Sequence, residues 1–199
     1  MSEILENLFG SREKMRLIRF FLLNPEQEYR AEEIIRRNML NSKKTKKELD
    51  NLRSIRFIIK RIKKGKIYYI LNQNFLFYPE LKNLVSKANI YPQSDSLNKI
   101  KNIGSIKLAV ISGAFINYHK SKADMILVGD GISRAKLRNV MNSLEAEIGK
   151  EIDFVLMTGE EFKYRLNMLD KFILDFLEGP HEEVINKIQG LRQFIANRK

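Results

Sequence analysis

Residues 112–130 read SGAFINYHKSKADMILVGD. The stretch closes on an apolar run, Met125 to Val128, which reads as a buried strand. Lys122 and Asp124 stand just before it. Positions two apart on a strand share a face. An ammonium and a carboxylate are therefore expected side by side at the mouth of a loop that begins with Gly113. Outward from this strand, SIKLAVISG (105–113) and EIDFVLMTG (151–159) read as further strands. SRAKLRNVMNSLEAEIG (133–149) reads as a helix that Gly149 can end. EEFKYRLNMLDKFILDFLEG (160–179) and HEEVINKIQGLRQFIANR (181–198) are expected to form two amphipathic helices. This order, β-β-α-β-α, implies a small α/β sheet carrying helices.

The first half has a different rhythm. SREKMRLIRFFLLN (11–24) sets Met15, Leu17, Ile18, Phe21 and Leu22 against Arg12, Arg16 and Arg19 on the opposite face of a helix. Ser11 is its N-cap and the following Asn-Pro stops it. RAEEIIRRN (30–38) is a second, shorter helix. MLNSKKTKKELDNLRS (39–54) is a third, capped by Asn41 or Ser42, with Thr45, Leu49 and Leu52 as its buried stripe. The period then changes to two strands in RFIIKRIKKGKIYYILN (56–72), about a turn at KKGK where Gly65 supplies backbone freedom. YPELKNLVSKA (78–88) reads as a closing helix. Three helices and a basic hairpin, in that order, spell a winged helix-turn-helix. The expected fold class is α+β: a winged helix-turn-helix domain over 1–88, a polar linker over 89–103 with a short helix at 95–102, and a small α/β domain over 104–199.

Charge divides along the same line. The 199-residue chain carries a net +12. Residues 1–103 hold 22 Lys and Arg against 11 Asp and Glu, while residues 104–199 hold 14 against 13. Nearly all the excess sits in the first half, which points to one domain facing a polyanion. The absence of cysteine excludes disulfides, thiol catalysis and thiolate metal sites. MSEILENLFGSREK lacks the basic start and apolar core of a signal peptide, and no apolar run approaches the roughly 20 residues of a membrane helix. A cytoplasmic protein with no membrane partner is expected.

In the third helix the buried stripe leaves Lys43, Lys44, Lys46, Lys47 and Arg53 outward, interrupted by Asp50. The hairpin adds Lys60, Arg61, Lys63, Lys64 and Lys66. In a winged helix both clusters face one groove of double-stranded DNA. About 6 phosphate contacts would give a log–log salt slope of roughly −5. Lysine holds phosphates well but reads bases less exactingly than Arg, Asn or Gln. Asn41, Ser42 and Lys43 at the helix start are the candidates for base edges. RNA is the alternative polyanion. Tyr68 and Tyr69 read as core and flank rather than as a platform for stacking bases.

The run from LFGSREKMRL through LNSKKTKKELDNLR to KKGKIYYILN resembles winged-helix regulators of the ArsR/MarR type, especially those placed before a small nucleotidyltransferase domain. Over about 75 residues, IKLAVISGAFINYHKSKADMILVGD and LEAEIGKEIDFVLMTGEEFKYRL resemble the minimal nucleotidyltransferase domain of the polymerase β superfamily. That resemblance implies a Gly-Ser loop cradling nucleotide phosphates. It also implies an Asp-x-Asp pair and a third acid holding two divalent ions that clamp the attacking and leaving oxygens. The chain departs from the pattern. Gly113 is kept, but Ala114 replaces the serine. Phe115–Ser121 is about three residues short. Lys122 stands for the first Asp, Asp124 keeps the second place, and Asp153 can fill the third. A unit charge at about 4 Å repels a like one by about 4 kcal/mol at ε of 20, and a divalent ion by about twice that. Lys122 is thus expected to abolish the metal centre and to pair with Asp124 or Asp153.

His119 and His181 have no metal-spaced partners, and Ser112, Ser121 and Thr158 have no evident base. No catalytic residue, metal or cofactor is expected; Gly113, Ala114, Lys122, Asp124 and Asp153 form a degenerate site. The expected function is a DNA-binding transcriptional regulator whose inactive second domain serves interaction, dimerisation or ligand sensing. A homodimer reading two half-sites is expected, with 160–178 and 181–197 as candidate dimer surfaces. The alternatives are an active metal-dependent nucleotidyltransferase and a basic module bound to RNA or the ribosome.

Overall fold

The computed structural model describes residues 2–87 and 95–198, so the first part of the expected linker lies outside the described residues. The protein is a mixed α+β chain that divides into two compact units. One comprises Met1–Gln93 with Glu145–Glu151, the other Ser94–Leu144 with Ile152–Lys199.

In the first unit, α1 (Ser2–Phe9) is an addition to the expected set, with Leu5 buried and Phe9 packed on the same core. α2 (Arg12–Leu23) begins where Ser11 accepts the amide of Lys14, as the N-cap reading requires. α3 (Ala31–Asn38) and α4 (Ser42–Ser54) follow, and Asn41 caps α4 by accepting the amide of Lys44. β1 (Ile58–Lys63) and β2 (Lys66–Leu71) pair antiparallel from Ile58–Leu71 to Lys63–Lys66. Their two-residue turn holds both Lys64 and Gly65 at positive φ, the twist that matches a right-handed hairpin. Tyr29 adds one bridge to Tyr69 on the far side of β2. α5 (Tyr78–Lys87) closes the unit. Met15, Phe21, Ile34, Leu49, Leu52 and Phe57 fill the core.

The α2 reading needs one correction. Arg12 is exposed, but Arg16 and Arg19 are buried. Arg16 donates to the carbonyl of Asn38 at the end of α3, and Arg19 donates to that of Glu147 within the same unit. Helix-end carbonyls lack intrahelical partners and attract cations. Burial holds both guanidinium groups below their ordinary range, Arg19 at about 10.

In the second unit α6 (Asp95–Lys99) runs into a 3-10 turn, Ile100–Asn102. β3 (Ser105–Ile111), β4 (Met125–Asp130), α7 (Arg134–Ile148) and β5 (Phe154–Met157) occur as read, although the last residues of α7 belong to the first unit. The segment 160–178 is not one helix. α8 (Gly159–Asn167) is followed at Leu169 by a positive φ. Asp170 then caps α9 (Lys171–Glu178), accepting the amide of Ile173 while Arg165 pairs with it at 2.9 Å.

The segment 181–198 departs further. Glu182–Asn186 is a strand, β6, and only Leu191–Ala196 is helical, as α10. Val184 and Ile185 are β-branched, and the free edge of β3 offers a ladder that a lone short helix cannot match. The sheet order is β5-β4-β3-β6, with β4–β5 parallel and the other pairs antiparallel. Leu108, Val110, Ile126, Val128 and Met157 meet Phe162, Ile173, Phe176 and Leu191 on one face. Ala109, Ile111, Met125 and Leu127 are equally buried. With both faces covered, β3 and β4 read as continuous apolar runs rather than alternating ones.

Candidate nucleic-acid interface and the loop at Asp124

α4 turns Thr45, Leu49 and Leu52 inward and leaves Ser42, Lys43, Lys44, Lys46, Lys47 and Arg53 exposed. Asn41 is only half available to a base edge, because its side-chain oxygen is spent on the helix cap and its amide donor alone remains. Lys44 reaches Glu13 at 3.8 Å and Arg53 reaches Asp50 at 3.5 Å. Both pairs are long, and the cation of each is exposed, so they hold little energy.

The hairpin is less uniform than its sequence. Arg61 and Lys63 lie two apart on β1 and share a face. Both reach the carboxylate of Glu28, each at 2.6 Å. Hydrogen bonds from Lys63 and Arg61 hold the Glu28 carboxyl below the usual carboxylate range. Lys60 points to the other face, opposite Tyr69. Among the described residues, Lys43, Lys46, Lys47, Lys60, Lys64 and Lys66 form no ion pair. Twelve candidate side chains thus separate into six free ammonium groups, two loosely paired cations, two held by Glu28, and the two polar groups that open α4. Glu28 is the residue that sequence reasoning missed. It lies 33 positions before Arg61, and nothing local marks it.

In the second unit Lys122 and Asp124 do not share a strand face, because β4 begins only at Met125. Asp124 is 9% exposed and turned inward. One of its carboxylate oxygens accepts the amide of Ala114 at 2.6 Å, the other that of Asp153 at 2.9 Å. Its own amide donates to the carbonyl of Asp153 at 2.6 Å, and its carbonyl accepts the amide of Ser112 at 2.8 Å. Four bonds at one residue tie the loop after β3 to the segment before β5. Gly113 has φ +50, and a Cβ there would overlap the carboxylate oxygen of Asp124.

The expected partner of Lys122 is also corrected. Its ammonium lies 3.1 Å from Asp175 on α9, not beside Asp124 or Asp153. Asp153 is exposed and precedes β5. His119 is exposed; His181 contacts the carbonyl of Gly179 at 2.8 Å just before β6, not at a helix start. Ser112 is buried and donates to the carbonyl of Pro180 at 2.7 Å. Among the described residues no three acidic or histidine side chains are grouped to hold a metal ion. None of the described helices is long and apolar enough to cross a membrane. The chain matches no family model, no curated protein and no solved structure.

Proposed function

We propose that the chain is a DNA-binding transcriptional regulator acting in the cytoplasm. In this reading the first unit is a winged helix-turn-helix, α4 is its recognition helix, and the β1–β2 hairpin is its wing. The second unit is a nucleotidyltransferase-like module that has given up transfer. The observation that carries the reading is the cluster of six lysines on α4 and the hairpin that form no ion pair among the described residues. A merely solvated basic surface gains nothing from concentrating its free ammonium groups on two adjoining elements. A duplex groove does, because each phosphate neutralised releases counterions. The loop at Asp124 supports the second half. The amide of Ala114 would face a nucleotide phosphate in a transferase, but here it is spent on a carboxylate. An incoming phosphate would have to displace that anion from its donor.

The test is a titration of a fluorescent duplex of mixed sequence across 50–200 mM salt. The expected result is saturable binding whose log–log slope is roughly −5 for about six contacts. Absence of binding at the lowest salt, or tighter binding of structured RNA than of duplex, rejects the proposal.

Glu28 gives a sharper consequence. It occupies two cations that could otherwise meet phosphates. Glu28→Gln is expected to tighten duplex binding about tenfold and to steepen the slope by up to roughly 2. Lowering the pH through the depressed Glu28 pKa acts in the same direction, since protonation releases Lys63 and Arg61. Fluorescence anisotropy reads both effects. Weaker binding by the variant would mean instead that Glu28 holds the wing in its binding shape.

A further inference from the structure

We infer that the second unit binds a small amphiphilic anion, an aliphatic carboxylate, in a groove between α8 and the turn that joins β6 to α10. The groove encloses about 520 Å³. That falls within the roughly 300–1,000 Å³ of small-molecule sites. Its floor is apolar, made by the half-buried Leu166, Ile188 and Phe194. The charged side chains lining it are three lysines, Lys107, Lys163 and Lys187; no carboxylate lines it.

The three lysines are not equivalent. Lys107 is held by Asp130 at 2.6 Å, and the same carboxylate accepts the amide of Gly159 that opens α8. Lys107 therefore fixes the wall of the groove and is largely neutralised. Lys163 and Lys187 are exposed and form no ion pair among the described residues. Lys187 is placed by its backbone, whose amide donates to the carbonyl of Lys107 at 2.8 Å. Two free cations thus flank an apolar floor.

Each feature selects against a different class of ligand. A cation meets like charge. A fully polar anion leaves the floor in water. A neutral hydrocarbon fills the floor but gains nothing from the rim. A chain of several carbons ending in a carboxylate satisfies both, burying CH₂ groups at about 0.8 kcal/mol each while its head meets ammonium. The inference does not require the first unit to bind DNA, so the two readings fail separately.

The test is an amide NMR titration of the whole protein with octanoate and, in parallel, 1-octanol. Octanoate is expected to saturate shifts at Lys163, Leu166, Ile188 and Phe194, with at least about tenfold tighter binding than octanol. The double variant K163E/K187E replaces exposed residues. It is expected to weaken octanoate about tenfold, two charge reversals at a partly exposed site, and to leave octanol binding and the melting curve unchanged. Equal binding of acid and alcohol overturns the assignment. So does an unaltered octanoate affinity in the variant, or shifts that saturate elsewhere.

Discussion

Replacing Lys43, Lys46 and Lys47 by alanine is expected to lower the proposed affinity for duplex DNA by roughly 500-fold at 0.1 M salt. The figure follows from counterion release. Each phosphate neutralised contributes a slope of about 0.9 in log salt, so three lost contacts remove about 2.7 decades relative to 1 M, and the slope falls from roughly −5 to roughly −3. All three residues are exposed on α4 and carry no ion pair, so their removal should not unsettle the core built on Thr45, Leu49 and Leu52. The comparison variant replaces Lys120, Lys136 and Lys171, three exposed lysines of the second unit, and changes net charge equally. It is expected to lose less than about threefold, since these three side chains lie outside α4 and the hairpin and make none of the proposed phosphate contacts. Anisotropy titrations at several salt concentrations separate the cases. Equal losses from both triples would mean that the chain binds by overall charge and that α4 has no special part.

What could be read from the sequence, and what could not, follows the range of the forces involved. α2, α3 and α4 were legible because their signals are local: a cap at Ser11 or Asn41, an apolar stripe at helical spacing, a proline after Asn24. The hairpin was legible for the same reason, with the period changing at Phe57 and a glycine at the turn. β6 was not. Its residues fit a helical wheel, and what makes them a strand is the open edge of β3, more than 70 residues earlier. The break between α8 and α9 depends on Leu169 taking a left-handed backbone, which no leucine announces.

The same limit governs the sites. Exposed lysines on α4 follow from the stripe opposite them. The division of the hairpin cations into free and held depends on Glu28, which arrives through the fold. Lys122 drew attention by its chemistry, yet its partner Asp175 lies 53 positions on.

Asp124→Ala is expected to destabilise the second unit by about 3 kcal/mol. Removing the carboxylate strands the amides of Ala114 and Asp153, both in partly buried bonds, and a donor left unpaired costs roughly 1–3 kcal/mol, here taken toward the middle of that range for each. For a unit of this size the midpoint should fall by more than about 10 °C. Gly113→Ala should cost a similar amount by a different route. Its backbone sits at φ +50, unfavourable to alanine by roughly 1–2 kcal/mol, and the new methyl would strike the Asp124 oxygen. The overlap with the carboxylate vanishes once Asp124 is itself alanine, leaving the contact with the Cα of residue 124 at 3.1 Å. The double variant should therefore lose at least about 1.5 kcal/mol less than the sum of the singles, the coupling expected of residues in contact. Urea unfolding followed by circular dichroism and amide exchange measures all four proteins. The outcome also decides what the carboxylate is for. A group kept for chemistry is commonly a burden on the fold, and its removal leaves stability unchanged or raised. A neutral or stabilising Asp124→Ala, or strict additivity with Gly113→Ala, would return Asp124 to the list of candidate metal ligands and remove the support this loop gives to an inactive second unit.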